Sequence, residues 1–418
     1  MKIVVIGPHF EPDTAPTGRV LTRIVEELAA RGHELHVVAA LPWYRTHALE
    51  PGWGGRLVRR ETTTWGTASR VHPFPGRDKR NLWRRAAGFA GFSALAGWTG
   101  LGAGGWLRRA DAVLAMSPPL TMGITGRLVA WSHRAPLVFN IQDVFPDAAV
   151  QTGVITNRRV IAVAGWLERI SYRLADAVTV LSDDLRGNVV AKSPTARVVT
   201  IPNFVDTDLI RPAERMTPYR AELGIGTEPV VLYAGNVGLS QSLELLVETA
   251  RRCPELTVVI NGDGAARPEL ERQATNIDNI RFAGYVPDSR LSELLATGDI
   301  HAVPLRRGLA RVSVPSKVYS ILAAGRPVVA AIDDGTVIPN LLEESGAGIA
   351  VAPDDADRFV AAVRRLAGDA DLAARMGQEG RSWVLDAASP AAVADAYESL
   401  FMALRDGRRR GAIGARRR

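Results

Sequence analysis

The chain has 418 residues, of which 47% are hydrophobic and 23% charged, the proportions of a folded globular protein and not of a disordered one. A length of this order predicts two domains rather than one core, and the single cysteine, Cys253, excludes an internal disulfide and a cysteine-rich metal site. The net charge of +7 does not describe a basic body: Arg405 to Arg418 holds seven arginines and one aspartate, +6, leaving about +1 for everything before it. That tail, RDGRRRGAIGARRR, reads as disordered, either solvated or touching acidic lipid headgroups or RNA.

At the N-terminus, Lys2 to Ile6 predicts a strand whose apolar run is too short for a signal peptide, so a cytosolic place is expected. The loop GPHFEPDTAPTG follows, then a helix from about Arg19 to Arg31 stopped by Gly32, and a second strand over Leu35 to Ala39. This is a βαβ opening. Its loop is long and carries three prolines, which marks it as functional. It has no GxGxxG, so a nicotinamide cofactor is not favoured. Thr17 and Gly18 stand at the helix N-terminus, where backbone can approach a ligand closely.

Arg77 to Arg85, RDKRNLWRR, is basic and is followed by 22 uncharged residues from Ala86 to Leu107. The length suits a transmembrane helix. Its many glycines and alanines make it only mildly apolar, however, and a span would cut a Rossmann unit in two. Two readings remain: an interfacial helix with basic flanks, or a helix buried in the domain. On the first, Arg77, Lys79, Trp83, Arg84 and Arg85 meet a membrane surface and the diphosphate of a lipid-linked acceptor.

Further strands are predicted at Ala112 to Ala115, Leu137 to Ile141, Ala177 to Leu181 and Val198 to Ile201, with helices between them. The polar segment from Asn203 to Glu228 reads as an inter-domain connection. At Pro229 the chain restarts: strand VVLYAG, loop NVGLSQ, helix SLELLVETARR, strand LTVVING. Two consecutive doubly wound domains imply a ligand held by their carboxyl-side loops, in the cleft between them.

Ser313 to Ile332, SVPSKVYSILAAGRPVVAAI, predicts a short helix and its exit strand. Pro315 suits the first turn, Ser313 or Ser316 can cap it, Gly325 ends it, and Val328 to Ile332 form a buried parallel strand. With Lys317 at its open N-terminus, the helix offers N–H donors, a partial dipole and a full charge to a phosphate or diphosphate. The alternative is an ordinary αβ unit with a surface lysine. A final helix, Pro390 to Leu404, gathers Val393, Tyr397, Leu400, Phe401 and Leu404 on one face.

Taken in order, RGHELHVV (31–38), IQDVFPDAA (141–149), ADAVTVLSDDLR (175–186), VVTIPNFVD (198–206), VLYAGNVG (231–238), INGDG (260–264) and VPSK…LAAGRPVV resemble the retaining family 4 glycosyltransferases. Among these the chain is most similar to the bacterial branch of colanic-acid and O-antigen assembly. The resemblance covers residues 1 to about 405. It implies the GT-B form of the α/β class, two Rossmann-like doubly wound domains facing a cleft, with a C-terminal helix crossing back. The expected boundaries are 1–203 for the acceptor-side domain, 204–385 for the nucleotide-sugar domain, 386–404 for the helix packing on the N-terminal domain, and 405–418 for the tail.

The same resemblance implies a hexosyl- or related transferase, retaining and metal-independent, acting on a nucleotide-diphosphate sugar and a polyprenyl-linked glycan in cell-surface polysaccharide synthesis. It is expected on the cytoplasmic face of the plasma membrane, with no cofactor and no nucleic-acid partner. A GT-B epimerase or isomerase acting on a nucleotide sugar, and a non-catalytic nucleotide- or lipid-binding subunit, are the alternatives.

Gly235, Asn236, Ser316 and Lys317 are expected on the donor phosphates, with Thr17 and Gly18 completing the site. Gly262 and Gly264 should lie under the nucleotide, and the backbone at Tyr285 and Val286 should read the base edge. A turn of purely structural purpose is the other reading of both. No DxD-type acid pair is placed to hold a metal, so protein groups must neutralise the diphosphate, Arg19 and Arg306 among the candidates.

Several places depart from the family. Val312 and Ser320 stand where many members carry glutamates, so Ser320 alone is left for the ribose hydroxyls. The loop GNVGLSQS lacks the usual Arg and Lys, and Gln241 stands near the lysine's place. Gln142 replaces a histidine that touches the donor sugar, and Asp143 follows it at a strand end. Asp143 either orients the acceptor or a sugar hydroxyl, or caps a helix.

Overall fold

The computed structural model describes residues 1–45, 48–75, 82–105, 109–142, 157–310 and 315–416, with the backbone alone at 82–86 and 409–416. The chain divides into two compact units, residues 1–203 with 393–418, and residues 204–392.

In the first unit the strands are β1 (Lys2–Gly7), β2 (Glu34–Ala40), β3 (Val58–Thr63), β4 (Gly66–Val71), β5 (Ala112–Met116), β6 (Leu137–Asn140), β7 (Ala177–Val180) and β8 (Val198–Thr200). They form one sheet in the order β3-β4-β2-β1-β5-β6-β7-β8, parallel except for β3. Ile3 lies opposite both Leu35 and Ala112, which places β1 at the centre. The near-continuous apolar runs of β1, β2 and β5 are those of strands covered on both faces.

The helices are α1 (Pro16–Ala30), α2 (Leu82–Leu101), α3 (Met122–His133), α4 (Arg158–Leu174) and α5 (Asp183–Lys192). Pro16 supplies the first turn of α1, where its missing N–H is harmless, so the helix begins before the expected Arg19. Val4, Ile6, Val38, Val113 and Phe139 meet Phe92 and Ala96 of α2, Met122 and Val129 of α3, and Tyr172 of α4 in one core. These three helices therefore form a single layer on one face of the sheet.

Helix α2 answers both readings of the uncharged stretch. Its inner face is buried, and its outer face is Ala87, Ala90, Ala94 and Trp98. Gly100 sits where a Cβ would come within 2.8 Å of Val129, so the glycines serve close helix packing. Among the described residues no helix is long and apolar enough to cross a membrane.

The second unit holds β9 (Val230–Ala234), β10 (Thr257–Asn261), β11 (Ile280–Ala283), β12 (Ile300–Pro304), β13 (Val328–Ala331) and β14 (Gly348–Val351). Their order is β11-β10-β9-β12-β13-β14, with the described pairings parallel throughout. The helices are α6 (Pro218–Glu222), α7 (Glu244–Arg252), α8 (Arg267–Gln273), α9 (Leu291–Thr297), α10 (Lys317–Ala323), α11 (Val337–Ser345), α12 (Ala356–Ala367) and α13 (Ala370–Ala387).

The segment read as a connection is folded into this unit. Arg220 of α6 is fully buried, and its guanidinium donates to the carbonyls of Gly226 at 2.7 Å, Thr297 at 3.2 Å, and Glu228. An arginine can be interior here because backbone acceptors satisfy it from several directions.

The C-terminal helix α14 (Pro390–Arg416) belongs with the first unit from Val393 onward. Val393, Tyr397, Leu400, Phe401 and Leu404 are all buried, as their spacing predicts. Residues 405–416 are helical where a disordered tail was expected. Arg405 lies 3.8 Å from Asp111 and Arg408 donates to Asp176 at 2.8 Å, while alanine and arginine both favour helix.

Candidate functional site

The order of the second sheet reverses between β9 and β12, and in open parallel sheets ligands bind at the carboxyl ends beside such a reversal. The loops that flank it begin at Gly235 and Leu305. Lys317, at the start of α10, closes the second of them. Its Nζ lies 3.7 Å from the centre of the Tyr233 ring, at the end of β9, and a Cβ on Gly235 would come within 2.9 Å of it. Gly235 has φ +138°, a conformation that also favours glycine. No carboxylate or hydrogen-bond acceptor holds the Lys317 ammonium among the described residues. Burial without a counter-charge lowers its pKa from 10.5 to about 7.

The loop after β9 is braced from several sides. Gly235 N–H donates to the Asn261 carbonyl and Val237 N–H to the Asp263 carbonyl, both at 2.9 Å. Gly238 N–H donates to Gln241 Oε1 at 3.1 Å, and the Tyr233 hydroxyl to the Asn236 carbonyl at 2.5 Å. The backbone cradle expected over 235–238 is thus narrower than the sequence suggests, since three of its four N–H groups are used internally. Asn236, exposed at the tip, is the one whose N–H makes no such bond among the described residues.

Gly262 lies beneath: its N–H donates to the Ala283 carbonyl, and a Cβ there would strike the Gly235 carbonyl. A Cβ on Gly264 would strike the Val237 carbonyl. These two glycines let the β9 and β10 loops stack.

Other expected ligands take different parts. Arg306 donates from Nε to the Leu239 carbonyl at 2.7 Å and from its terminal nitrogen to Glu244 at 2.7 Å, so it braces the loop instead of standing open to an anion. Ser316 flanks α10, exposed, without a side-chain capping bond, and Ser320 is half-buried one turn on. The Tyr285 hydroxyl donates to the Asp263 carbonyl at 3.2 Å with its ring exposed, while Val286 packs into the small cluster around Tyr219. Arg267, which the sequence reading passed over, donates to the carbonyls of Gly262 at 2.6 Å and Ala283 at 3.0 Å and so ties the ends of β10 and β11.

In the first unit the sheet order reverses between β1 and β5. The long loop after β1 is ordered by groups that the sequence reading also missed. His9 Nδ1 and Asp13 Oδ2 are 2.6 Å apart, Asp13 Oδ1 accepts from Tyr44 N–H at 3.1 Å, and His9 stacks on Trp43. The buried Arg70 holds the carbonyls of Phe10 and Glu11. Thr17 is half-buried, and Gly18 is buried against His9 and Phe10, so its smallness serves the domain's own loop.

Gln142 is buried as well. Its amide donates to Asn140 at 2.6 Å and accepts from Asn203 at 3.0 Å, while Asn140 donates to the Tyr397 hydroxyl at 2.9 Å. The side chain is thus engaged at both ends and braces the end of β6. Asp143, Arg77 and Lys79 lie outside the described residues, as do the side chains of Trp83, Arg84 and Arg85.

Residues 17–203 match the glycosyl transferase 4-like domain, and residues 228–369 match the glycosyl transferases group 1 domain. The chain is a glycosyltransferase built of these two domains. It is 28% identical over 380 residues to the putative colanic acid biosynthesis glycosyl transferase WcaI of Escherichia coli K12, spanning 87% of this chain and 92% of that protein. Two solved structures share its fold. Sucrose-phosphate synthase from Thermosynechococcus elongatus gives a TM-score of 0.67 at 19% identity, covering 96% of this chain and all of that one. Anabaena Alr3699/HepE in complex with UDP gives 0.66 at 16%, covering 97% of this chain and all of that one. Both units of this glycosyltransferase thus have the expected GT-B architecture.

Among the described residues at the β9–β12 reversal, Lys317 is thus a cation that no carboxylate holds. No group of three or more histidine, cysteine, aspartate or glutamate side chains among the described residues is arranged to hold a metal ion. The site offers, among the described residues, a poorly solvated ammonium, the N–H of the exposed Asn236, and two stacked glycine turns.

Proposed function

We propose that the glycosyltransferase moves a sugar from a nucleotide-diphosphate donor to a polyprenyl-linked glycan with retention, without a metal, in cell-surface polysaccharide synthesis at the cytoplasmic face of the membrane. Lys317 supports this reading: among the described residues its amine has no counter-ion, and it lies beside a glycine turn at the sheet's reversal, where a diphosphate would supply the missing charge. The UDP in the HepE complex and the biosynthetic role in the WcaI name support a nucleotide donor and a glycan product.

The chemistry follows from charge. As the bond from sugar to diphosphate breaks, negative charge gathers on the leaving phosphate and positive charge on the sugar. An ammonium at the phosphate then gains more attraction in the transition state than in the ground state, which raises turnover and not only binding. Retention is consistent with a departing phosphate that accepts the acceptor's proton on the same face.

The test is turnover with UDP-, GDP-, ADP- and TDP-sugars on a short polyprenyl-diphosphate glycan, with and without EDTA, with the product anomer read by NMR. Transfer with retention, indifferent to EDTA, is expected, and Lys317→Met should lower kcat at least as much as it raises KM. An inverted product, or transfer that EDTA abolishes, contradicts the reading.

A further inference from the structure

The layer of α2, α3 and α4 turns large apolar side chains outward. Trp98 is 72% exposed, Trp131 78% and Trp166 54%, with Leu128 at 55% and Val163 at 58%. These come from three different helices, yet they share one layer. Helices α2 and α3 run side by side: the Ser93 and Thr121 hydroxyls are 2.7 Å apart, and Gly97 and Gly100 face Thr125 and Val129. Helix α3 meets α4 where the Ser171 hydroxyl donates to the Leu120 carbonyl at 2.8 Å.

Scattered apolar residues on a surface need no explanation, but a shared face with three exposed tryptophans does. Its charge is one-sided. The outward groups around it include Arg134, at the end of α3, and Arg159, Arg169 and Arg173 of α4, all exposed. The three helices contain one acid, Glu168. It is buried, accepting from the Tyr172 hydroxyl at 2.7 Å and the Lys192 ammonium at 2.8 Å. Among the described residues of the three helices, the outer face has indole rings, aliphatic tips and arginines and no exposed carboxylate, which complements an anionic lipid surface. Indoles settle at the headgroup level, and guanidinium groups pair with lipid phosphates.

We propose that the outer face of α2, α3 and α4 is a docking surface for an anionic bilayer, with Trp98, Leu128 and Trp131 entering the interface and the α4 arginines meeting the headgroups. This deepens the lipid-linked acceptor reading and rests on it for its purpose, though not for its physics.

The experiment is sedimentation of the full chain with vesicles of phosphatidylcholine, alone or mixed with phosphatidylglycerol, containing no glycan acceptor. Wild type should bind the mixed vesicles, release them with added salt, and show a blue-shifted tryptophan emission. Trp98→Ala/Trp131→Ala should partition roughly tenfold more weakly, a loss of about 1.4 kcal/mol. Arg159→Ala/Arg169→Ala/Arg173→Ala should lose the preference for phosphatidylglycerol. Unchanged partitioning in the tryptophan variant overturns the surface. So does a wild-type dimer in solution that the tryptophan variant splits, because a second copy then covers this face. Turnover on a soluble short-chain acceptor should be unaffected by the tryptophan variant. If vesicle binding behaves as stated while no sugar is transferred, the functional reading fails and the surface stands.

Discussion

Lys317 is a costly charge for the second unit to bury and, on the proposed function, the one that meets the donor diphosphate. With its pKa in the folded chain near 7 against 10.5 ordinarily, the unfolded chain holds that proton more tightly between those values. Stability from this group is therefore lacking below about pH 7 and returns as pH climbs toward the unfolded value. A bound anion reverses the balance by favouring the ammonium. Nucleoside-diphosphate affinity should thus fall as pH rises above about 7, with a proton taken up on binding near pH 8. Calorimetry in two buffers of different protonation enthalpy measures that uptake; the same binding heat in both would contradict it. The neighbouring glycines illustrate what residue type alone can say. Gly235 and Gly262 were legible as loop glycines, but that one sits directly over the other's carbonyl follows only from the pairing of β9 with β10.

At the level of elements, strands β1, β2, β5 and β9 were readable because buried parallel strands are short unbroken apolar runs. The β3–β4 hairpin was missed. RRETTTWGTASR carries few apolar residues, and β3 is a half-exposed edge strand, so neither burial nor charge singles it out. Its signals were threonines and the Trp65-Gly66 turn. The C-terminal tail misled in the opposite way: like charge suggested disorder, but Asp111 and Asp176 supply the counter-charges that let α14 continue. Gln142 was legible near a strand end, but its bracing bond was not, because its partner Asn203 is 61 residues away in sequence. The Asn140–Thr179–Tyr397 network predicts that Tyr397→Phe costs about 1 kcal/mol, or roughly 2–4 °C in Tm. Differential scanning calorimetry checks this, and an unchanged Tm would show that the hydroxyl contributes nothing to holding α14.

For the whole molecule, both units repeat one device: a parallel sheet whose order reverses beside its first strand, with a glycine- or proline-shaped loop at the reversal. The first unit's buried His9, Asp13 and Arg70 order its own loop, while in the second unit no acceptor holds the Lys317 amine among the described residues. That asymmetry supports the proposal that the donor binds on the second unit. The most direct measurement is calorimetric titration of the full chain and its Lys317→Met variant with UDP, GDP, ADP and TDP in EDTA. One nucleotide should bind wild type without added metal, and the variant should bind it roughly 10- to 100-fold more weakly, the worth of a hydrogen bond to a charged group. Equal affinity in the two proteins would contradict the account.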